Sequence, residues 1–240
     1  LTRVVVIGEL TATTTPIINS ELLSLSGTAF ISQGNWNYDL VVDGYSGNWT
    51  LQQDQAIAQS LYLKSSTLDL NGHTLTVKGN LIHSGGTLNV NGGNLIVEGD
   101  YRIQTSSTDA EGNTTYSSSL GRLNMTNVAD HVLVHGNFYT YSKYDHSSYL
   151  TAGTLELRGD FQQIGLDVYP HDSDEYNFKT GGTHRVVLNG AAKQTVSFGA
   201  PGTSCSHFNI LEITNSSVEG VELLTRVVVI GELTATTTPI

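Results

Sequence analysis

Asp172, Asp174 and Glu175 alternate within GLDVYPHDSDEYNFKTG (165–181), the densest acidic cluster of the chain. Alternating carboxylates suit calcium, which takes several oxygen ligands, but this run lacks the D-x-D-x-D-G spacing of a calcium loop and reads as a solvated acidic loop. The eight histidines offer no zinc site. His131 and His135 would lie on one face of a strand about 13 Å apart, and neither H-E-x-x-H nor a Cys/His ligand spacing occurs. Cleaving a polysaccharide needs two or three converging carboxylates, or a basic residue beside bound calcium. The aligned positions Asp69/Asn89/Asn124 supply one carboxylate. Asn80/Asp100/Asn137/Asp160 supply two, at a bend where Asn and Asp suit left-handed backbone geometry. Arg158-Gly159-Asp160 has the form of an integrin-binding tripeptide, but it shares the register of Lys78-Gly79-Asn80, and the bend accounts for it. The expectation is a chain with no catalytic residue, no metal and no cofactor.

Aromatic side chains carry the one binding signal. Trp36 and Trp49 each follow Gly-Asn, near Tyr38 and Tyr45, and a second cluster comprises Phe138, Tyr139, Tyr141, Tyr144 and Tyr149. Rings with a polar handle, set among Asn, Gln and Asp, can stack on sugars. Trp36, Trp49, Tyr141 and Tyr144 are therefore the candidate ligand-binding residues. The competing reading has the tryptophans closing the core and the tyrosines covering a loop.

The elements that would position these residues are repeats. TLDLNGHTLTVKGNLI (67–82) and TLNVNGGNLIVEGDYR (87–102) match at seven of sixteen positions with an offset of 20. A shorter unit, apolar-x-apolar-x-Gly-polar-apolar, recurs as LTVKGNL, LIVEGDY, VLVHGNF, LELRGDF and VVVIGEL. Each copy alternates with period two, the strand signature, and its glycine suits a turn of positive φ. Strand, bend and strand every 20 residues or so describe one rung of a right-handed parallel β-helix, an all-β solenoid in which Leu75 stacks on Leu95, Val77 on Val97 and Asn71 on Asn91. Longer gaps between the glycines leave room for a weaker rung or a lateral loop. The polar stretch 105–119 and the acidic stretch 165–181 read as such loops, 11–30 as an irregular rung or joint, and 52–60, the only helix-like stretch, as coil. The Asn-Gly pairs at 71–72 and 91–92 are also hairpin signals, so an antiparallel sandwich stands as the rival fold.

A larger repeat encloses these. LTRVVVIGELTATTTPI occupies both 1–17 and 224–240, identical at all seventeen positions. Residues 1–223 therefore read as one full period and 224–240 as the start of the next, one continuous solenoid without separate domains.

The net charge of −11 and only 11 Lys and Arg argue against a nucleic-acid binder and against anionic membrane surfaces. No apolar run is long enough to insert in a membrane. The single cysteine, Cys205, excludes an internal disulfide and reads as a small, partly buried hydrophobe.

Together TLDLNGHTLTVKGNLIHSGGTLNVNGGNLIVEGDYRIQ, LTAGTLELRGDFQQ, THRVVLNGAAKQTVSF and FNILEITNSS resemble the tandem-repeat right-handed β-helix segments of very large secreted or surface proteins, adhesin-like, of Gram-positive bacteria. The resemblance covers about residues 61–233. It implies an extracellular structural segment, a fibre, stalk or adhesin shaft on the bacterial surface, whose partners are neighbouring copies of the same repeat, covalent or end to end. It carries no catalytic residues. The alternatives are a carbohydrate-binding β-helix module with surface glycans as partners and, behind it, a polysaccharide lyase or hydrolase.

Overall fold

Alternating apolar and polar residues build strands, and nearly all of these pair in parallel. The computed structural model describes the backbone of residues 3–7, 22–26, 29–31, 35–36, 39–43, 47–165 and 173–236, and the side chains of 39–43, 47–165 and 175–236. Among these the chain is all-β, apart from a single 3-10 turn at Ser173–Tyr176.

Three parallel sheets carry the fold. The first has ten strands in the order Arg3–Ile7, Leu22–Ser26, Asp39–Val42, Leu61–Leu63, Leu81–His83, Tyr101–Ile103, Phe138–Thr140, Phe161–Gln163, Gln194–Phe198 and Val221–Leu223. The second has nine, from Asn35–Trp36 through Gln55–Ile57, Thr74–Val77, Asn94–Val97, His131–Val134, Thr154–Leu157, Arg185–Leu188 and Phe208–Ile213 to Val229–Ala235. The third has five, Ala29–Ile31, Asn48–Leu51, Thr67–Asp69, Gly85–Asn89 and Leu120–Asn124. The chain visits them in rotation. From Leu61–Leu63 in the first sheet it passes through Thr67–Asp69 in the third and Thr74–Val77 in the second, then re-enters the first at Leu81. Among the described residues the third sheet has no strand after Leu120–Asn124, and isolated bridges join Ser119 to Ser142 and Met125 to Leu150.

Register converts the sequence repeat into columns of like side chains. Leu75 lies beside Leu95, and the column runs on through Val132, Leu155, Val186, Leu211 and Leu233. In the first sheet Leu40, Leu61, Leu81, Tyr101, Phe138, Phe161, Val196 and Leu223 line up in the same way. Apart from Leu223 and Leu233 at the end, the residues of these columns are buried, and each fully buried Leu, Val or Phe contributes about 2 kcal/mol. In the later circuits Phe178 fills the interior beside the shrinking third sheet. Its ring centre is 4.7 Å from that of Phe161 and 5.7 Å from that of Phe208.

Several sequence expectations change here. The Asn-Gly pairs do form tight turns: Asn71 and Gly72 have φ of 51° and 79°, and the His73 N–H donates to the Leu70 carbonyl at 2.9 Å. Yet the flanking strands, Thr67–Asp69 and Thr74–Val77, belong to different sheets, so the turn is a corner and not a hairpin. The antiparallel sandwich is thereby excluded for the described residues. Their one antiparallel pair is Thr105–Thr108 with Thr114–Ser117, a lateral hairpin where a loop was expected. Residues 52–60, expected as coil, contain the strand Gln55–Ile57. The stretch 165–181 lies partly outside the described residues, but Glu175, Asn177 and Phe178 are buried, so its second half belongs to the interior. Of 11–30, only the strand Leu22–Ser26 and the first residues of Ala29–Ile31 are described.

One position in the columns is out of character. Gln55 stands in register with Leu75, where every later circuit has Leu or Val. It is 4% exposed, borders a small cavity with Leu40, Leu51 and Leu68, and neither amide atom has a hydrogen-bond partner among the described residues. An unsatisfied buried amide costs about 1–3 kcal/mol. Gln55→Leu is expected to stabilise the chain by about 2 kcal/mol, read as a higher urea midpoint at unchanged slope. A lower midpoint would mean that the amide is satisfied in solution.

Candidate functional site

The four candidate ligand-binding residues lie in different surroundings. Trp49 is inward-facing and fully buried, in register with Leu68, so its ring offers no face to a sugar. This corrects its candidacy, and the cause is the alternation Trp49, Leu51 that fills the same interior rows as Leu68 and Leu70. Trp36 lies in the strand Asn35–Trp36, and its side chain is outside the described residues. Tyr141 and Tyr144 are half-buried beyond the end of the third sheet, separated from Trp49 by the strands Thr67–Asp69, Gly85–Asn89 and Leu120–Asn124. The Arg122 guanidinium sits 3.4 Å from the Tyr144 ring centre and 5.7 Å from that of Tyr149. A cation on the ring face occupies the surface a sugar would stack on. A second such arrangement was not foreseen. Arg102 lies 3.6 Å from the Tyr139 ring centre and 4.2 Å from that of Tyr116, while Asp100 accepts its hydrogen bond at 2.7 Å. It fastens the lateral hairpin, which carries Tyr116, to the first sheet.

The polar column at the bend has a backbone task. Asp39 accepts the Ser60 N–H at 2.8 Å and Ser60 Oγ accepts the Asn80 N–H at 3.1 Å. Asn80, Asp100 and Asn137 each accept the N–H of the next member, Asp100, Asn137 and Asp160, at 2.8 Å, and Asp160 accepts the Thr195 N–H at 2.6 Å. None of the column's described members has positive φ, which corrects the expectation of left-handed geometry. One oxygen of each of the two carboxylates, Asp100 and Asp160, is committed to the circuit above, and the other oxygen of Asp100 is held by Arg102. In the third sheet Asp69, Asn89 and Asn124 do share one column, and Asn124 donates to Asn89 at 2.9 Å. Asn91 donates to Asp69 and Asn71 to the Leu51 carbonyl, so neither side chain bonds the other.

Titratable groups are also found where burial works against their charge. His83, His146 and His184 are fully buried. Burial holds His83 and His184 down to about 3 and His146 down to about 4. His83 is anchored through Tyr101 Oη at 3.1 Å and the Gly86 carbonyl at 3.2 Å. Neither ring nitrogen of His184 has a hydrogen-bond partner among the described residues. Cys205, half-buried, places Sγ 3.8 Å from Glu175 Oε2. Among the described residues no three His, Cys, Asp or Glu side chains are grouped to hold a metal ion, and no helix is long and apolar enough to cross a membrane.

Among the described residues, one end of the fold exposes apolar side chains in its last strands. Val221–Leu223 and Val229–Ala235 are the outermost strands of the first and second sheets. Leu223, Leu224, Ile230 and Leu233 are 37%, 55%, 47% and 56% exposed, although Leu223 and Leu233 close columns whose other described members are buried. A strand edge presents free N–H and C=O groups and templates another strand. Leu223, followed by Leu224, the first residue of the repeated segment, is the sequence feature that could have pointed to this surface. No protein-family model, curated protein or solved structure matches the chain.

Proposed function

We propose that this chain is a structural segment of a long, repetitive, extracellular fibre or stalk on a bacterial surface, wound as a right-handed parallel β-helix. The single observation that carries the reading is the identity of 1–17 and 224–240 in a chain that folds as stacked parallel strands. The rotation of the chain through three parallel sheets supports the helix, and crossovers between parallel strands are right-handed in about 98% of cases. The low charge density and the side-chain ladder that runs from Asp39 to Thr195 suit a shaft that needs stiffness and no reactive centre.

The test is electron microscopy of the native material with a mass measurement. The expected result is rods of constant width with an axial repeat near 45 Å, from nine or ten strands at about 4.8 Å. Discrete particles of single-chain mass would overturn it.

A further inference from the structure

The same residues occupy two different places in this fold. In the first copy of the repeat, Arg3–Ile7 is a strand of the first sheet, and its Val5 lies beside Ser24. In the second copy the strand starts three residues later in the repeat, spans Val229–Ala235, and belongs to the second sheet beside Phe208–Ile213. The equivalents of Arg3–Val5 at that end are Arg226–Val228, which lead into this strand.

Chain geometry decides which placement holds where one period runs into the next. Val221–Leu223 already takes the first-sheet position beside Gln194–Val196. Only two residues, Leu224 and Thr225, separate it from Arg226. Adjacent parallel strands need a crossover of about a dozen residues or more. Residues 226–230 therefore cannot join the first sheet next to Val221–Leu223. They could enter it only by expelling that strand, which would uncover Val196 and the buried Gln194.

We infer that at the internal joint the repeated segment stays in the second sheet, and that the next period's Leu22–Ser26 pairs in parallel with Val221–Leu223. By the same rows its Asn35–Trp36 then lies beside Thr234 and Ala235. The occupant of the open end is thus a further period of this sequence in one register. The register follows from the columns. Leu23 is paired with Leu40, the row that ends in Leu223, so Leu23 of the next period lies beside Leu223 and Ser24 beside Leu224. Both half-exposed leucines gain a neighbour, and the first-sheet column continues without a break. This rests on the proposed fibre reading but makes a narrower claim.

The test is a chain of two periods, residues 1–223 followed by 1–240, with Cys205→Ser in both. One version carries Leu224→Cys at the joint and Ser24→Cys in the second period; the other carries Val228→Cys with the same Ser24→Cys. A thiol-to-thiol reagent that spans one strand spacing, about 5 Å, is applied to each. The expected result is an internal cross-link in the 224/24 chain and none in the 228/24 chain. The reverse pattern would mean that the first-copy placement governs the joint and would overturn the inference. Rods seen alongside that reverse pattern would leave the fibre reading intact. Two separate globules with neither cross-link would remove both. Hydrogen exchange on the same chain without the Leu224, Val228 and Ser24 changes gives a second readout, insensitive to damage by those substitutions. Amides of 221–223 at the joint should exchange at least about 100-fold more slowly than those of the terminal copy, and equal rates would overturn the inference.

Discussion

Acid is expected to destabilise this chain strongly above the pH at which carboxylates protonate. His83, His146 and His184 are neutral in the fold because burial opposes their charge, holding them down to about 3, 4 and 3 from an ordinary value of 6.5. A depressed histidine value means that the unfolded chain binds the proton first. Stability is full above pH 6.5, falls as the pH drops through that value, and stops falling once the folded-state values are passed. At pH 5 each residue costs roughly 2 kcal/mol, and the three together roughly 6 kcal/mol, against a total stability of about 5–15 kcal/mol for a typical domain. Urea unfolding at pH 7.5, 6 and 5 should therefore show a midpoint that collapses across this window. A midpoint unchanged between pH 7.5 and 5 would contradict it. His184→Leu isolates one share. Its ring makes no hydrogen bond among the described residues and packs edge-on against Phe178, with ring centres 6.2 Å apart, so an apolar replacement keeps the packing and removes the protonation site. The stability difference between variant and parent should be about 2 kcal/mol larger at pH 5 than at pH 7.5, in the variant's favour.

What could be read in the sequence follows from how locally each feature is encoded. The column Leu75 on Leu95 and Val77 on Val97 was legible, because a translation of 20 residues preserves the alternation and the structure pairs those residues. Trp49 was legible in principle, since Trp49 and Leu51 stand nineteen residues before Leu68 and Leu70, but a Gly-Asn-Trp pattern draws the eye to the surface. The lateral hairpin was not, since TSST and TTYS have no apolar face to mark their period. The two placements of the seventeen-residue repeat were illegible by definition: identical residues cannot distinguish their own contexts. The bend glycines show a subtler limit. A glycine required by positive φ and one required by close backbone approach look alike in a sequence, and the first was expected where the second is found.

That difference yields the last prediction. Gly79, Gly99, Gly136 and Gly159 all lack positive φ. They stack directly on one another at the bend, so a Cβ on any of them points into the circuit before it. On Gly136 it would lie 2.6 Å from the Gly99 carbonyl carbon and oxygen and 2.7 Å from Asp100 Oδ1; on Gly159 it would lie 2.3 Å from the Gly136 oxygen. The obstacle is backbone already fixed by its ladder, including the Asp100 bond to the Asn137 N–H, so it cannot swing aside as a flexible side chain would. Gly136→Ala should cost about 3 kcal/mol, the upper range for overpacking. Gly72→Ala is the control. It has a φ of +79° and nothing within 4 Å of the added carbon, so it meets only the left-handed penalty of about 1–2 kcal/mol. If φ were what the bend glycines provide, Gly136→Ala would cost no more than Gly72→Ala. If close stacking is, the costs separate, and the damage spreads along the stack of circuits: Gly136→Ala should speed amide exchange at Gly99 and Gly159, in the circuits on either side, whereas Gly72→Ala should leave both unchanged.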